Sequence, residues 1–202
     1  MKHSAKRRTL LAGIALGAAL LGVGGVSVLL HQRDLRVDRL PLAIGGPFTL
    51  VDGNGQQVSD RDFRGKFLLI YFGYTFCPDV CPTTLNSVAA AIEQLGGKAA
   101  NLQPLFITVD PQRDTPPVVK QYAAAFDPRL IGLTGTSEQI AQVANEYDVY
   151  YQTHRAGPGT KDYTVDHSSV LYLVGPDGRF IAPIRTDEPA DAMATEIAKY
   201  LS

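Results

Sequence analysis

The sequence predicts an α/β fold, a mixed central sheet covered by helices on both faces, for most of this chain. Three observations predict it. Residues 67–74 (FLLIYFGY) are apolar on both faces and too short for a lone helix, as expected of a central strand in a covered sheet. Strand-like and helix-like segments alternate along the chain, which implies crossover connections. The only two cysteines, Cys77 and Cys81, follow that strand directly, at the carboxyl end where open α/β sheets place their chemistry. A thioredoxin-like sandwich over residues 48–202 accommodates all three.

Taken in order, the elements begin with a membrane signal. Residues 10–30 contain no charge and no proline, and roughly 20 such residues cross the hydrocarbon core of a bilayer. Lys2, Lys6, Arg7 and Arg8 precede them. Bases on that side predict a cytoplasmic segment 1–9, a single transmembrane helix 10–30 and an exported remainder. A cleaved signal peptide is the alternative, although its apolar region usually runs only about 7–15 residues. Residues 31–47, charged and then rich in Pro and Gly, read as a linker.

Residues 48–51 form a short strand ended by the turn Asp52-Gly-Asn-Gly55. After the central strand, Leu85, Val88, Ala89, Ile92 and Leu95 recur at helical spacing, and Gly96-Gly97 stops the helix. A strand follows over 102–109, weakened by Pro104, then a helix over 116–126 with proline at its start. Thr136 and Gln139 make a capping box for a helix reaching Tyr147. Residues 169–174 and 180–184 flank Gly175-Pro-Asp-Gly178 as a hairpin. A last helix over 190–201 carries Met193, Ile197 and Tyr200 on one side. The order reads strand, strand, helix, strand, helix, strand, helix, hairpin, helix.

Charge excludes one class of partner. Of 19 bases four precede the apolar run, which leaves 15 against 20 acids in the rest of the chain. A mildly acidic domain lacks the clustered basic face that nucleic acid requires. Two cysteines cannot staple a scaffold, so they are available for other work.

Cys77 and Cys81 lie in Gly73-Tyr-Thr-Phe-Cys77-Pro-Asp-Val-Cys81-Pro. Proline is comfortable at the first helical position. The regular helix is therefore expected to start near Pro82, with Cys81 at its cap and the stretch between the cysteines as a loop. A helix N-terminus favours thiolate over thiol. Two thiolates are soft ligands that suit Cu(I) or zinc, and structural zinc normally takes four protein ligands. A plain stabilising disulfide is the alternative. Among the histidines, His3 and His31 flank the apolar run, and His154 falls in a turn-rich tip. His167 immediately precedes the predicted strand 169–174, where the loop entering that strand lies beside the cysteine turn of a thioredoxin-like sheet. Asp166 is placed to orient its ring. A packing or capping role for His167 is the bland reading.

FGYTFCPDVCPTTL (72–85), VDPQRDTP (109–116) and DYTVDHSSVLYLVGPDG (162–178) resemble, in order, three blocks of the Sco/SenC family of copper proteins. The resemblance runs from about residue 48 to 201. It implies a thioredoxin fold and a site for Cu(I) or Cu(II) made by Cys77, Cys81 and His167. It also implies a part in assembling the binuclear copper site, CuA, of cytochrome c oxidase subunit II, with copper supplied by a donor that the sequence does not identify. With the predicted anchor, this implies a single-pass protein of the bacterial cytoplasmic membrane, its C-terminal domain facing the periplasm or cell exterior. Thiol-disulfide reduction by Cys77 and Cys81 as a redox pair is the rival function, on that subunit or on other exported proteins. Three residues between the cysteines, rather than the two of ordinary thioredoxins, weigh against it. Phe76 stands where some relatives carry a histidine, outside the ligand set. In VDPQRDTP, Asp114 or Thr115 is expected to cap the helix opened by Pro116, and Arg113 to pair with a carboxylate. Residues 150–163 read as a long loop beside the site, of a kind that often serves function.

Overall fold

The structure, a computed structural model, describes residues 44–155, 157 and 162–201. The predicted transmembrane helix 10–30, the basic segment before it and residues 31–43 of the predicted linker lie outside the described residues. Among the described residues no helix is long and apolar enough to cross a membrane.

The chain runs β1 (Thr49–Asp52), β2 (Gln57–Ser59), a 3-10 turn, β3 (Phe67–Gly73), α1 (Val80–Leu95), a second 3-10 segment and β4 (Leu102–Thr108). It continues through α2 (Pro116–Ala124), β5 (Ile131–Thr134), α3 (Ser137–Glu146), β6 (Tyr151–Arg155), β7 (Tyr163–His167), β8 (Val170–Val174), β9 (Phe180–Arg185) and α4 (Ala190–Ala198). Seven strands form one mixed sheet in the order β2-β1-β5-β4-β3-β8-β9. β3, β4 and β5 are parallel, and β8 runs antiparallel to β3. This is the predicted thioredoxin-like arrangement.

β3 is central because both of its faces are apolar: Leu68 through Gly73 are all buried. Side chains alternate across a strand, so Tyr71 and its neighbour on β4, Phe106, share one face, while Phe72 looks the other way. The first face is covered by α1, whose Cys81 reaches Tyr71, and by α2, whose Tyr122 ring lies 5.2 Å from that of Phe106. α4 packs against α1. The second face is covered by α3, where Tyr147, the residue that ends the helix, meets Phe72 and Tyr172 with ring centroids 5.6 and 5.5 Å apart. Pro104 does not break β4: β5 joins only from Leu105 onward, so the proline sits where the strand is flanked by β3 alone.

Three expectations change. β2 was not foreseen, because Gln57-Val-Ser59 carries no alternating apolar signal. The predicted capping box is present, with Thr136 Oγ1 accepting from Gln139 N. The expected cap on α2 is not, because Thr115 occupies the cap position without a side-chain bond and Asp114 is turned inward. Finally, the expected 150–163 loop contains a strand at its start, Tyr151–Arg155, and the first residue of another, Tyr163. β6 and β7 form a separate two-stranded sheet pairing Tyr151 with His167 and Arg155 with Tyr163. Residues 156 and 158–161, between the two strands in sequence, lie outside the described residues.

The described chain enters against Phe180 of β9, level with the start of β3. Gly45 N donates to Glu146 O at 2.7 Å, and a Cβ on Gly45 would lie 3.5 Å from that of Phe180. Phe180 pairs with Val174, and Val174 with Leu68.

Candidate metal centre

The centre is assembled where β3 ends. Gly73 closes the strand, and Cys77 follows in a turn whose backbone N–H donates to Tyr74 O at 3.2 Å. α1 begins at Val80, with Asp79 in the cap position. The expected start near Pro82 is thus about two residues late, and Cys81 lies inside the first turn. Pro82 is tolerated there because the first four N–H groups of a helix have no partner within it. Cys81 N donates to Cys77 Sγ at 3.3 Å, which holds the outer sulfur over the helix N-terminus. Both cysteines are free thiols, Cys77 half-buried and Cys81 fully buried.

His167 reaches the same point from a distant part of the sequence. It is the last residue of β7, not a loop residue as expected, and β7 delivers its Nε2 to 3.2 Å from Cys81 Sγ. The sulfurs of Cys77 and Cys81 and a ring nitrogen of His167 lie within 4.8 Å of one another. All three predicted site residues are therefore brought together, and among the described residues no other group of His, Cys, Asp and Glu converges in this way.

Second contacts fix the orientation of this set. His167 Nδ1 lies 3.0 Å from Ser168 O. A carbonyl can only accept, so Nδ1 carries the proton and Nε2 turns its lone pair to the sulfurs. Asp166 does not orient the ring as expected. It points to the outer face of the hairpin and lies 3.0 Å from His154 Nε2. His154 itself belongs to β6 and takes no part in the centre. Tyr74 and Tyr71 meet the His167 ring edge-on, at 5.9 and 6.1 Å between centroids.

Electrostatics run against the helix-terminus expectation. Burial pushes the Cys81 thiol up to about 12, so desolvation outweighs the favourable helix end. The Tyr71 hydroxyl, itself pushed up by burial, donates to Cys81 Sγ at 3.8 Å. Burial also holds the His167 imidazole below its usual value, opposed by the Ser168 bond. Cys81 is therefore a thiol beside the unprotonated imidazole of His167. A cation that displaces the thiol protons converts the set into two thiolates and a neutral imidazole, the donors that soft metals select. The donor set fits Cu(I), and its three members fall short of the four that close a structural zinc site.

Several residues that shape the centre carry no chemistry of their own in the sequence. A Cβ on Gly73 would fall 2.9 Å from Cys81 Sγ, so only glycine leaves room for that sulfur. Asp114, fully buried, accepts from Thr75 N at 2.9 Å, Thr75 Oγ1 at 2.6 Å and Thr108 Oγ1 at 2.6 Å, tying the cysteine turn to β4. Arg113 pairs with Asp110, as the sequence suggested.

The fold and this site define a thioredoxin-like protein with a dithiol–imidazole centre of metal-binding geometry. The SCO1/SenC family model matches residues 37–202. The chain belongs to that family. It is 42% identical over 164 residues to the mitochondrial SCO1 homolog of Homo sapiens, covering 78% of this chain and 53% of that protein. The SCO2-like protein RP587 of Rickettsia prowazekii is 41% identical over 179 residues, covering 83% of this chain and 86% of that one. The chain thus spans about half the length of the human relative and most of the bacterial one. Among solved structures, Bradyrhizobium japonicum ScoI with copper bound is 43% identical, with a TM-score of 0.72 over 78% of this chain and 99% of that one.

Proposed function

We propose that this chain carries copper on Cys77, Cys81 and His167 and serves the assembly of cytochrome c oxidase. The observation that carries the reading is the convergence of two sulfurs and one imidazole nitrogen within 4.8 Å at the mouth of a thioredoxin-like sheet. Membership of a family with copper-bound structures supports it. Three protein donors leave copper open to an incoming thiolate, so the ion is cargo that passes by ligand exchange. Subunit II, with its CuA cysteines, is the receiving partner in this reading, and an unidentified protein is the donor. Residues 10–30 anchor the chain in the bacterial cytoplasmic membrane with the domain outside, beside the oxidase.

One observation favours a second activity. Cys77 is the more exposed sulfur and Cys81 is buried behind it. The outer thiolate can attack a target disulfide and the inner one then resolve the mixed disulfide. The target gains two thiols as Cys77 and Cys81 become a disulfide. Reduced target cysteines are what copper transfer requires, so the two activities are compatible.

The test is complementation in cells lacking the protein, grown in copper-poor medium. Loss of oxidase activity is expected, and neither Cys77→Ser nor His167→Ala should restore it. Full restoration by His167→Ala but not by Cys77→Ser would replace the carrier reading with the oxidoreductase one.

A further inference from the structure

We infer that Arg113 is a positioning residue for the metal centre, holding the strand that ends in His167 against the turn that carries Cys77. The inference deepens the copper reading of the centre and rests on it.

Arg113 lies between β4 and α2 and touches both halves of the site. Its Nε pairs with the buried Asp110 carboxylate. Its Nη1 donates to Tyr163 O at 3.1 Å, and its Cζ stands 3.6 Å from the centroid of the Tyr163 ring. Asp110 Oδ1 accepts from Tyr163 Oη at 2.7 Å, so Arg113 and Asp110 together grip Tyr163 by ring, carbonyl and hydroxyl. Tyr163 is the first residue of β7 and His167 the last. Among the described residues β7 pairs with β6 alone, in a two-stranded sheet. A two-stranded hairpin is at best marginal in isolation, so its placement depends on contacts with the body of the domain. The grip on Tyr163 is one such contact, one strand length from the ligand.

On its other side the same guanidinium meets the cysteine turn. Its Cζ is 4.7 Å from the ring centroid of Phe76, the residue before Cys77, and 5.7 Å from that of Tyr74. Phe76 is 61% exposed, so burial does little to hold its ring, and the cation beneath it supplies the contact. A plain ion pair at a helix entry needs only Asp110. The planar fork between Tyr163 and Phe76 does more, because it links two segments that must keep a fixed spacing for sulfur and imidazole to converge. Lysine cannot reproduce this, since an ammonium neither lies flat between rings nor donates as a fork.

The test is a double-mutant cycle on the full chain, reduced and in detergent, with Cu(I) affinity measured by competition against a chelator. Arg113→Met is expected to weaken binding about tenfold, the usual scale for residues that orient metal ligands. In a His167→Ala background the same substitution should cost less than about twofold, because the ligand it positions is gone. A loss undiminished by His167→Ala would mark a general structural role and overturn the inference, as would no loss in either background. If Arg113→Met does not fold, Arg113→Lys takes its place with the same expected pattern. A parent chain that takes up no copper would overturn the copper reading and this inference with it, whereas a parent that binds copper isolates the failure to Arg113.

Discussion

His167 Nε2 and Cys81 Sγ lie 3.2 Å apart although 86 positions separate them in sequence. Tertiary structure has already brought an imidazole lone pair to a buried thiol, so metal uptake requires loss of protons more than movement of ligands. The reduced chain should therefore bind one copper per molecule. As Cu(II) it should show an intense thiolate charge-transfer band. Cys81→Ser and His167→Ala should each shift or abolish that band, and an unchanged absorption spectrum in both would remove the ligand assignment.

Air oxidation should join Cys77 and Cys81 in an intramolecular disulfide, since their shared turn holds one sulfur 3.3 Å from the other residue's backbone N–H. Thiolates bind metal and disulfide sulfurs do so poorly. Copper retention after desalting should be near stoichiometric for the reduced chain and low for the oxidised one. Equal retention by both forms would contradict this.

Gly73→Ala should destabilise the domain by about 1–3 kcal/mol, the usual cost of overpacking, because the added Cβ falls 2.9 Å from Cys81 Sγ and 3.1 Å from the Phe106 ring. Copper uptake should fall with it, as the displaced sulfur is a ligand. Denaturant unfolding and metal content of the same preparation check both effects. Unchanged values would show that the sulfur has room to move.

Asp114 gives a pH dependence of defined sign. Burial raises its pKa above the ordinary 3.8, against the pull of three donated hydrogen bonds. The folded state therefore holds the proton more tightly than the unfolded one. Its contribution to stability is greatest in acid and declines as pH rises from 3.8 through the raised value. The unfolding free energy of the parent minus that of Asp114→Asn should fall across this window and then level off. A difference that rises with pH would show that the hydrogen bonds outweigh burial.

The sheet was legible because β3 is apolar on both faces and the helices flanking it keep their period, so hydrophobic pattern alone placed the cysteine turn at the correct end. The hairpin carrying His167 was not. On β7, Tyr163, Val165 and His167 alternate with exposed Thr164 and Asp166, but on β6 every residue after Tyr151 is exposed. That period-two signal is short and confined to β7, after a Gly- and Pro-rich stretch of sequence. Asp166 was misread because it neighbours His167 in sequence, whereas alternation along a strand sends the two side chains to opposite faces. Asp114 was misread for a related reason. A carboxylate before Pro-Pro looks like a helix cap, and only the fold reveals Thr75 and Thr108 converging on it. Cys81 appeared activated by a helix end, yet its complete burial, which depends on packing between α1 and the sheet, reverses that expectation.

Gly45 stands against Phe180, which is level through Val174 with Leu68 near the start of β3, while Cys77 follows the end of that strand, and a seven-residue strand spans about 23 Å. The polypeptide thus enters the domain at the pole opposite the sulfurs. An affinity tag or a linker to an electrode fused directly to residue 44 is joined to the far end of the sheet. Immobilised through that end, the domain would hold its centre toward the solution, the orientation an incoming protein needs for direct access.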